Sequence, residues 1–123
     1  MPDLAAPIFH ITDRSQWQAA QKTGTYSHPS LETEGFIHCS TADQVVWVAN
    51  AFFRGQTGLV LLQIAPEQLD DLRFDPVPEV GLFPHLYSEL PVSAVAQVFE
   101  FEPNSAGEFV LPAAMAAGAT EAE

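Results

Sequence analysis

The six residues Leu59–Ile64, LVLLQI, constrain the fold of this chain more than any other stretch. Because only Gln63 is polar, a strand over these residues carries apolar side chains on both of its faces. Such a strand is typical of the centre of a sheet that is covered on both sides. A membrane-spanning helix needs about 20 apolar residues, so the run is far too short to be one. We therefore predict a central strand here.

Two short apolar segments, IFHIT (Ile8–Thr12) and GFIHCS (Gly35–Ser40), are predicted to be the strands that flank it. The segment Asp43–Phe53 carries apolar residues at three- and four-residue spacing, which predicts the principal helix with one buried face. Ser40 or Thr41 is the expected cap of that helix, with a glutamine three or four residues further on, as in a capping box.

Other signals are weaker but place the remaining elements. A helix is expected from about Asp13 to Lys22, because Gly24 supplies a stop. The polar stretch 25–34 reads as loop and turn, and Pro66 begins one helical turn.

The C-terminal half alternates short strands with proline-rich passages. Leu72–Asp75 is a brief strand, and the prolines at 76 and 78 predict an extended loop as far as Gly81. Ala94–Phe101 alternates like a strand, and Phe109–Leu111 is a last strand or a hydrophobic anchor. We expect one α+β domain with short mixed or antiparallel strands over residues 1–112, and a disordered tail over 113–123.

Charge excludes several classes of partner. The 123 residues carry 16 acids and four Lys or Arg, a formal net charge of -12. Nucleic-acid backbones and anionic membrane surfaces would both meet net repulsion. The single cysteine, Cys39, cannot form an internal disulfide, and the N-terminus lacks the pattern of a signal peptide. The expected compartment is the cytoplasm.

Three histidines sit in short apolar strands, each two residues before a hydroxyl. The pairs are His10 with Thr12, His38 with Ser40, and His85 with Tyr87. Because side chains two apart in a strand share a face, each pair points the same way. If the strands are neighbours, the pairs converge on one cleft. The alternative is that each histidine is a structural core residue.

We also considered a metal site and a cysteine nucleophile. Three histidines could hold zinc, but their spacings match no common ligand scheme, so no metal is expected. Cys39 points away from His38 and is expected to be a buried, inert thiol. His28 is expected to be solvated. The aromatic residues predicted to pack in the core are Trp17, Trp47, Phe52 and Phe53.

Taken together, the motifs resemble those of a bacterial family of unknown function, DUF952. They are IFHIT, Trp17 and Ala20 with Gly24-x-Tyr26, EGFIHCS, VANAFF, LVLLQI, FPHLY and a closing GEFVLP. The resemblance covers Ile8 to Pro112, and EGFIHCS with FPHLY is its most specific part. Members usually continue FPHLY with Gly-Pro, where this chain has Ser88-Glu89, so Glu89 is not taken as a family site.

More distantly, the order of motifs resembles the ADP-ribosyltransferase fold. The resemblance matches His10 to the motif that holds the nicotinamide-side ribose, Phe36–Ser40 to the second motif and FPHLY to the third. A catalytic glutamate is usual in the third motif, and this chain places none there except Glu89. The RNA 2'-phosphotransferase branch depends on basic residues, which are scarce here.

The resemblance implies an enzyme that acts on NAD or an ADP-ribosylated compound, without a tightly bound cofactor. The expected catalytic residues are His38, His85 and Tyr87, and the expected ligand-binding residues are His10, Thr12 and Ser40. Ser40 at a helix start would aim backbone amides at a pyrophosphate. One alternative is a non-enzymatic module that binds a small nucleotide-type ligand. The other is an interaction protein that uses its acidic face.

Overall fold

Three antiparallel sheets and three helices make up residues 6–113, the part of the chain that this computed structural model describes. The strands are β1 (Ile8–Asp13), β2 (Thr25–Tyr26), β3 (Ile37–His38), β4 (Leu59–Ile64), β5 (Leu72–Val77), β6 (Gly81–Leu86), β7 (Leu90–Pro91) and β8 (Val95–Phe101). The helices are α1 (Arg14–Thr23), α2 (Pro29–Thr33) and α3 (Val45–Phe52), with 3-10 turns at Pro66–Gln68 and Val92–Ala94. The α+β class predicted from the sequence is confirmed.

The central sheet has the strand order β1-β4-β8. Both faces of strand β4 are covered, because α1 packs on one face through Trp17 and Ala20 and α3 packs on the other through Val45 and Ala49. The apolar character of both faces of LVLLQI follows from this double burial. Its predicted central position and its pairing with IFHIT are both confirmed.

Helix α1 matches its sequence signals. It begins after Asp13, whose backbone is extended, although the Asp13 side chain makes no capping bond. It ends at Gly24, which has a φ of 90° and donates its N–H to the carbonyl of Ala20. Only glycine adopts this left-handed backbone without a steric penalty.

The predicted pairing of GFIHCS with the central strand is wrong. The second neighbour of β4 is β8, and β3 belongs to a separate sheet of order β3-β6-β5. A single bridge joins the two sheets, in which Phe9 and Ser40 exchange backbone hydrogen bonds of 2.7 and 2.8 Å. The GFIHCS segment therefore crosses from one sheet to the other.

Helix α3 is shorter than predicted, and at eight residues it is not the principal helix, since α1 has ten. Residues 42–44 form turns, so the helix begins at Val45 and not near Asp43. Ser40 does not cap it. The Gln44 side chain instead accepts a hydrogen bond from the Thr41 amide, which is one half of a capping box.

Two predicted loops contain regular structure. The polar stretch 25–34 forms β2 and α2, and His28 caps α2 by accepting from the Ser30 amide. Strand β5 continues through Pro76 to Val77. Because β5 is the edge of its sheet, the N–H that Pro76 lacks is not needed for pairing.

The C-terminal segment is anchored by one aromatic side chain. Phe109 is buried against Phe101, with 4.8 Å between ring centroids, and forms no strand. Residues 114–123, nearly all of the predicted tail, lie outside the described residues. Within residues 6–113, no helix has the length and apolar character needed to cross a membrane.

Candidate functional site

A cleft of about 630 Å³ lies where the central sheet, the second sheet and α3 meet. All four histidines line it, and they come from four segments: His10 from β1, His28 from the start of α2, His38 from β3 and His85 from β6. The remaining lining residues are mainly apolar: Phe9, Ile11, Phe36, Cys39, Ser40, Trp47, Val48, Phe52, Phe53, Pro76, Val77, Pro78, Val80 and Phe83.

His10 is the most enclosed of the four and is 4% exposed. Its Nδ1 donates to the His38 carbonyl at 2.6 Å, and its Nε2 lies 2.8 Å from the Tyr26 hydroxyl. Burial lowers the pKa of His10 from 6.5 to about 4, so the ring is neutral at pH 7. The Tyr26 hydroxyl also lies 2.8 Å from Oγ1 of Thr12, which places Thr12 behind Tyr26.

His28 was predicted to be solvated, and this is wrong. Its Nδ1 accepts the Ser30 amide at 3.1 Å, and its ring packs edge-on against His10 with 5.4 Å between centroids. Burial lowers the pKa of His28. No strand pattern surrounds this residue, so the sequence offered no signal except its place before Pro29.

His85 is held by a carboxylate. Its Nδ1 lies 2.9 Å from Oδ2 of Asp75, and the Tyr87 hydroxyl donates to the same oxygen. The hydrogen bond from Tyr87 is the largest cause that lowers the pKa of Asp75, and the bond from His85 is the next. The bond to Asp75 in turn raises the pKa of Tyr87. Sequence reasoning missed Asp75, which pairs with Phe83 across the β5–β6 ladder and reaches His85 diagonally, two residues further along β6.

His38 and His85 lie directly opposite each other on β3 and β6, with 5.6 Å between ring centroids. Phe36 lies against both rings. It is stacked on His85 with centroids 4.0 Å apart and planes at 14°, and it meets the edge of His38 at 4.9 Å. The His38 side chain is about half exposed, and its Nε2 lies 3.1 Å from a carboxylate oxygen of Glu34.

The structure brings together most of the residues that the sequence singled out. His10, His38, Ser40 and His85 line the cleft, whereas Thr12 and Tyr87 do not. Each of these two hydroxyl residues reaches a lining histidine through one intervening side chain, Thr12 through Tyr26 and Tyr87 through Asp75. The catalytic and binding roles assigned to these residues stay predictions.

The outer wall of the cleft is aromatic and partly open to solvent. Trp47 is 51% exposed and Phe52 is 71% exposed, so the prediction that they pack in the core is wrong. Their rings meet edge to face at 6.2 Å. Val80, between β5 and β6, lines the same cleft and is 45% exposed. The apolar residues of α3 therefore serve two surfaces: Val45 and Ala49 are buried in the core, and Trp47 and Phe52 border the cleft.

No Lys or Arg side chain lines the cleft. Two of the three arginines are paired with glutamates outside the cleft, Arg14 with Glu100 and Arg54 with Glu108. Among residues 6–113, no group of three or more His, Cys, Asp or Glu residues is arranged to hold a metal ion. Hydrogen bonding and apolar contact are therefore the main interactions that the lining offers.

Comparison with known proteins places this geometry in a family. The model of a family described as a protein of unknown function, DUF952, matches residues 11–98. The chain belongs to the DUF952 family. The matched range runs from the second half of β1 into β8 and contains all cleft-lining residues except Phe9 and His10.

Solved structures give the same result for the DUF952 fold. The X-ray crystal structure of protein CC0527 from Caulobacter crescentus is 34% identical, with a TM-score of 0.83 over 90% of this chain and 99% of that one. The solution NMR structure of CC0527 is 35% identical, with a TM-score of 0.74 over 83% of this chain and 90% of that one. The search of curated proteins found no match. None of these comparisons extends the likeness to the ADP-ribosyltransferase fold.

Proposed function

We propose that this DUF952 protein binds a small molecule carrying a flat ring and little charge, in the histidine-lined cleft. The observation that carries the proposal is the convergence of four histidines, from four separate segments, on one largely apolar cavity. Ligand sites are typically apolar concavities with a few polar groups that fix orientation.

The size of the cleft supports a ligand of drug or nucleoside dimensions. Its volume of about 630 Å³ falls inside the range of roughly 300–1,000 Å³ that is usual for small-molecule sites. The Nε2 of His85 and the hydroxyl of Ser40 make no side-chain hydrogen bond within the described residues. Both are therefore free to orient a ligand.

The exposed aromatic wall supports a ring-bearing ligand. Trp47 and Phe52 together leave a large apolar area open to water, at a cost that contact with a ligand would remove. Flat rings stack against such side chains at an energy of about 0.5–1.5 kcal/mol beyond simple burial. A nucleobase or a nicotinamide ring has the required shape.

Charge separates the ligands that this site favours from those it does not. NAD and ADP-ribose, the ligands implied by the ADP-ribosyltransferase resemblance, carry a pyrophosphate, and no Lys or Arg lines the cleft to meet it. The formal charge of the whole chain, -12, adds long-range repulsion. We therefore expect an uncharged nucleoside or nicotinamide to bind better than the intact dinucleotide.

The test is a thermal-shift comparison of adenosine, nicotinamide, NAD and ADP-ribose at equal concentrations. A ligand that binds the folded state stabilises it by RT ln(1 + [L]/Kd). The expected result is a rise in melting temperature with adenosine or nicotinamide, reduced in Phe52→Ala. Val110→Ala is the matched control, because Val110 is 69% exposed but does not line the cleft. No shift with any of the four compounds would contradict the proposal.

Enzymatic turnover is a separate question from binding. Incubation with NAD, followed by measurement of released nicotinamide, distinguishes an NAD-consuming enzyme from a binding module. Release that disappears in His38→Ala would support the activity predicted from the sequence. Binding without release would favour the non-enzymatic alternative.

A further inference from the structure

We propose that His85 is the proton acceptor of the cleft and that Asp75 is its positioning residue. This inference rests on the proposed function, since it assigns a chemical role within the same ligand site. It predicts that the ligand presents an O–H or N–H group to Nε2 of His85.

The geometry sets the tautomer of His85. A carboxylate can only accept, so the 2.9 Å contact between His85 Nδ1 and Asp75 Oδ2 places a proton on Nδ1. In the neutral ring, Nε2 then carries the lone pair. The Tyr87 hydroxyl donates to the same carboxylate oxygen and holds Asp75 in place.

The basic nitrogen faces the cleft. His85 is only 7% exposed. Within residues 6–113, every side-chain nitrogen or oxygen that is fully buried has a hydrogen-bond partner. Nε2 of His85 has no hydrogen-bond partner among these residues, so this atom is not fully buried. Since His85 lines the cleft, a bound molecule is the partner this nitrogen can reach.

The surroundings favour proton transfer over mere contact. Phe36 covers one face of the imidazole and excludes water from it. A proton that moves from a ligand O–H or N–H to Nε2 leaves its electron pair on the ligand atom and creates an imidazolium. The Asp75 carboxylate lies on the opposite side of the ring, where it stabilises that positive charge.

His38 provides an internal comparison, because it also faces a carboxylate. Its pair with Glu34 lies between two side chains that are each about half exposed, where water competes for both partners. The contact also uses Nε2 of His38, not Nδ1. The two neighbouring histidines are thus predicted to differ in tautomer and in reactivity.

Nitrogen-15 NMR of the unliganded protein tests the tautomer directly. The expected spectrum of the neutral form of His85 shows a protonated Nδ1 and a bare Nε2. In Asp75→Asn this preference should weaken, whereas Glu34→Gln, the matched control, should leave His85 unchanged. A proton on Nε2 of His85 in the parent would overturn the inference, with no bearing on whether the cleft binds a ligand.

Acylation by diethyl pyrocarbonate, with modified peptides quantified by mass, tests reactivity. His85 should be acylated in the parent, and Asp75→Asn should slow that reaction by about tenfold or more, because the wrong tautomer presents a protonated Nε2. Adenosine should protect His85 if it occupies the cleft. Equal acylation in the parent and Asp75→Asn would sink the inference. A lack of protection by a ligand that does shift the melting temperature would show that His85 does not contact it.

Discussion

The imidazole Nδ1 of His10, on β1, lies 2.6 Å from the main-chain carbonyl oxygen of His38, on β3. This bond ties the central sheet to the second sheet beside the bridge between Phe9 and Ser40. Because the carbonyl requires a proton on Nδ1, any change in the charge of His10 takes place at Nε2, which faces Tyr26. Protonation of His10 in acid would therefore disturb its contact with Tyr26.

Acid should destabilise the fold through His10. The pKa is about 4 in the folded chain and about 6.5 in an unfolded one, so the unfolded state takes up the proton first as the pH falls. The stabilisation is complete above pH 6.5 and is lost between that value and pH 4, amounting to about 3 kcal/mol. Urea unfolding at pH 7 and pH 4.5 measures the difference.

The matched variant for this prediction is His10→Gln, which keeps a hydrogen-bonding side chain that does not titrate. His28, whose pKa is also lowered, changes stability in the same direction in both proteins. The parent should therefore lose more stability on acidification than the variant. An identical pH dependence in the two proteins would rule out His10 as the source.

Removing the Tyr26 hydroxyl should cost more than removing the Tyr87 hydroxyl. Tyr26 is buried and contacts both His10 and Thr12, so Tyr26→Phe leaves Nε2 of His10 without a partner. Thr12 loses one hydrogen bond and keeps the other, to Gln16. The expected loss in the free energy of unfolding is about 1–3 kcal/mol. In Tyr87→Phe the freed Asp75 still accepts from His85, and the loss should be smaller. Equal losses in denaturant titrations would contradict this ranking.

Local sequence signals predicted the elements that local physics determines. Leu59–Ile64 is central because a strand with apolar side chains on both faces is stable where both faces are covered. Gly24 ends α1 because it alone tolerates the required backbone. The pairing of GFIHCS was missed because β3 has only two residues, too few to show which strand they match.

Only part of the candidate site could be predicted from the sequence, because patterns within one strand do not report how strands pair. Alternation along a strand predicted that His38 shares a face with Ser40, and His85 with Tyr87. The contact between His85 and Asp75 depends on the register of β5 against β6, which no single-strand pattern reports. The exposure of Phe52 depends on the cleft beside α3, and periodicity cannot distinguish a cleft from a core.

The side chain of Gln44 should stabilise the start of α3 and its contact with the β5–β6 hairpin. Its Oε1 accepts from the Thr41 amide at 3.0 Å, and its Nε2 donates to the Leu82 carbonyl at 2.6 Å. Gln44→Ala removes both bonds and should cost about 1–2 kcal/mol of unfolding free energy. Gln56→Ala is the control, because Gln56 is exposed and its side chain makes no hydrogen bond in the described residues. Indistinguishable denaturation midpoints for the two variants would count against this role.

Cys39 should be almost unreactive while the protein is folded. The thiol is 3% exposed, and burial raises its pKa from 9.0 to about 12. At pH 8 the thiolate, the reactive form, is then about a thousandfold scarcer than for an ordinary cysteine. Ellman's reagent should label the native protein slowly and the urea-unfolded protein rapidly, with one thiol per chain because the sequence contains one cysteine. Fast stoichiometric labelling of the native protein at pH 8 would mean that the cleft admits the reagent to Cys39 and that the thiol is not held in an apolar setting.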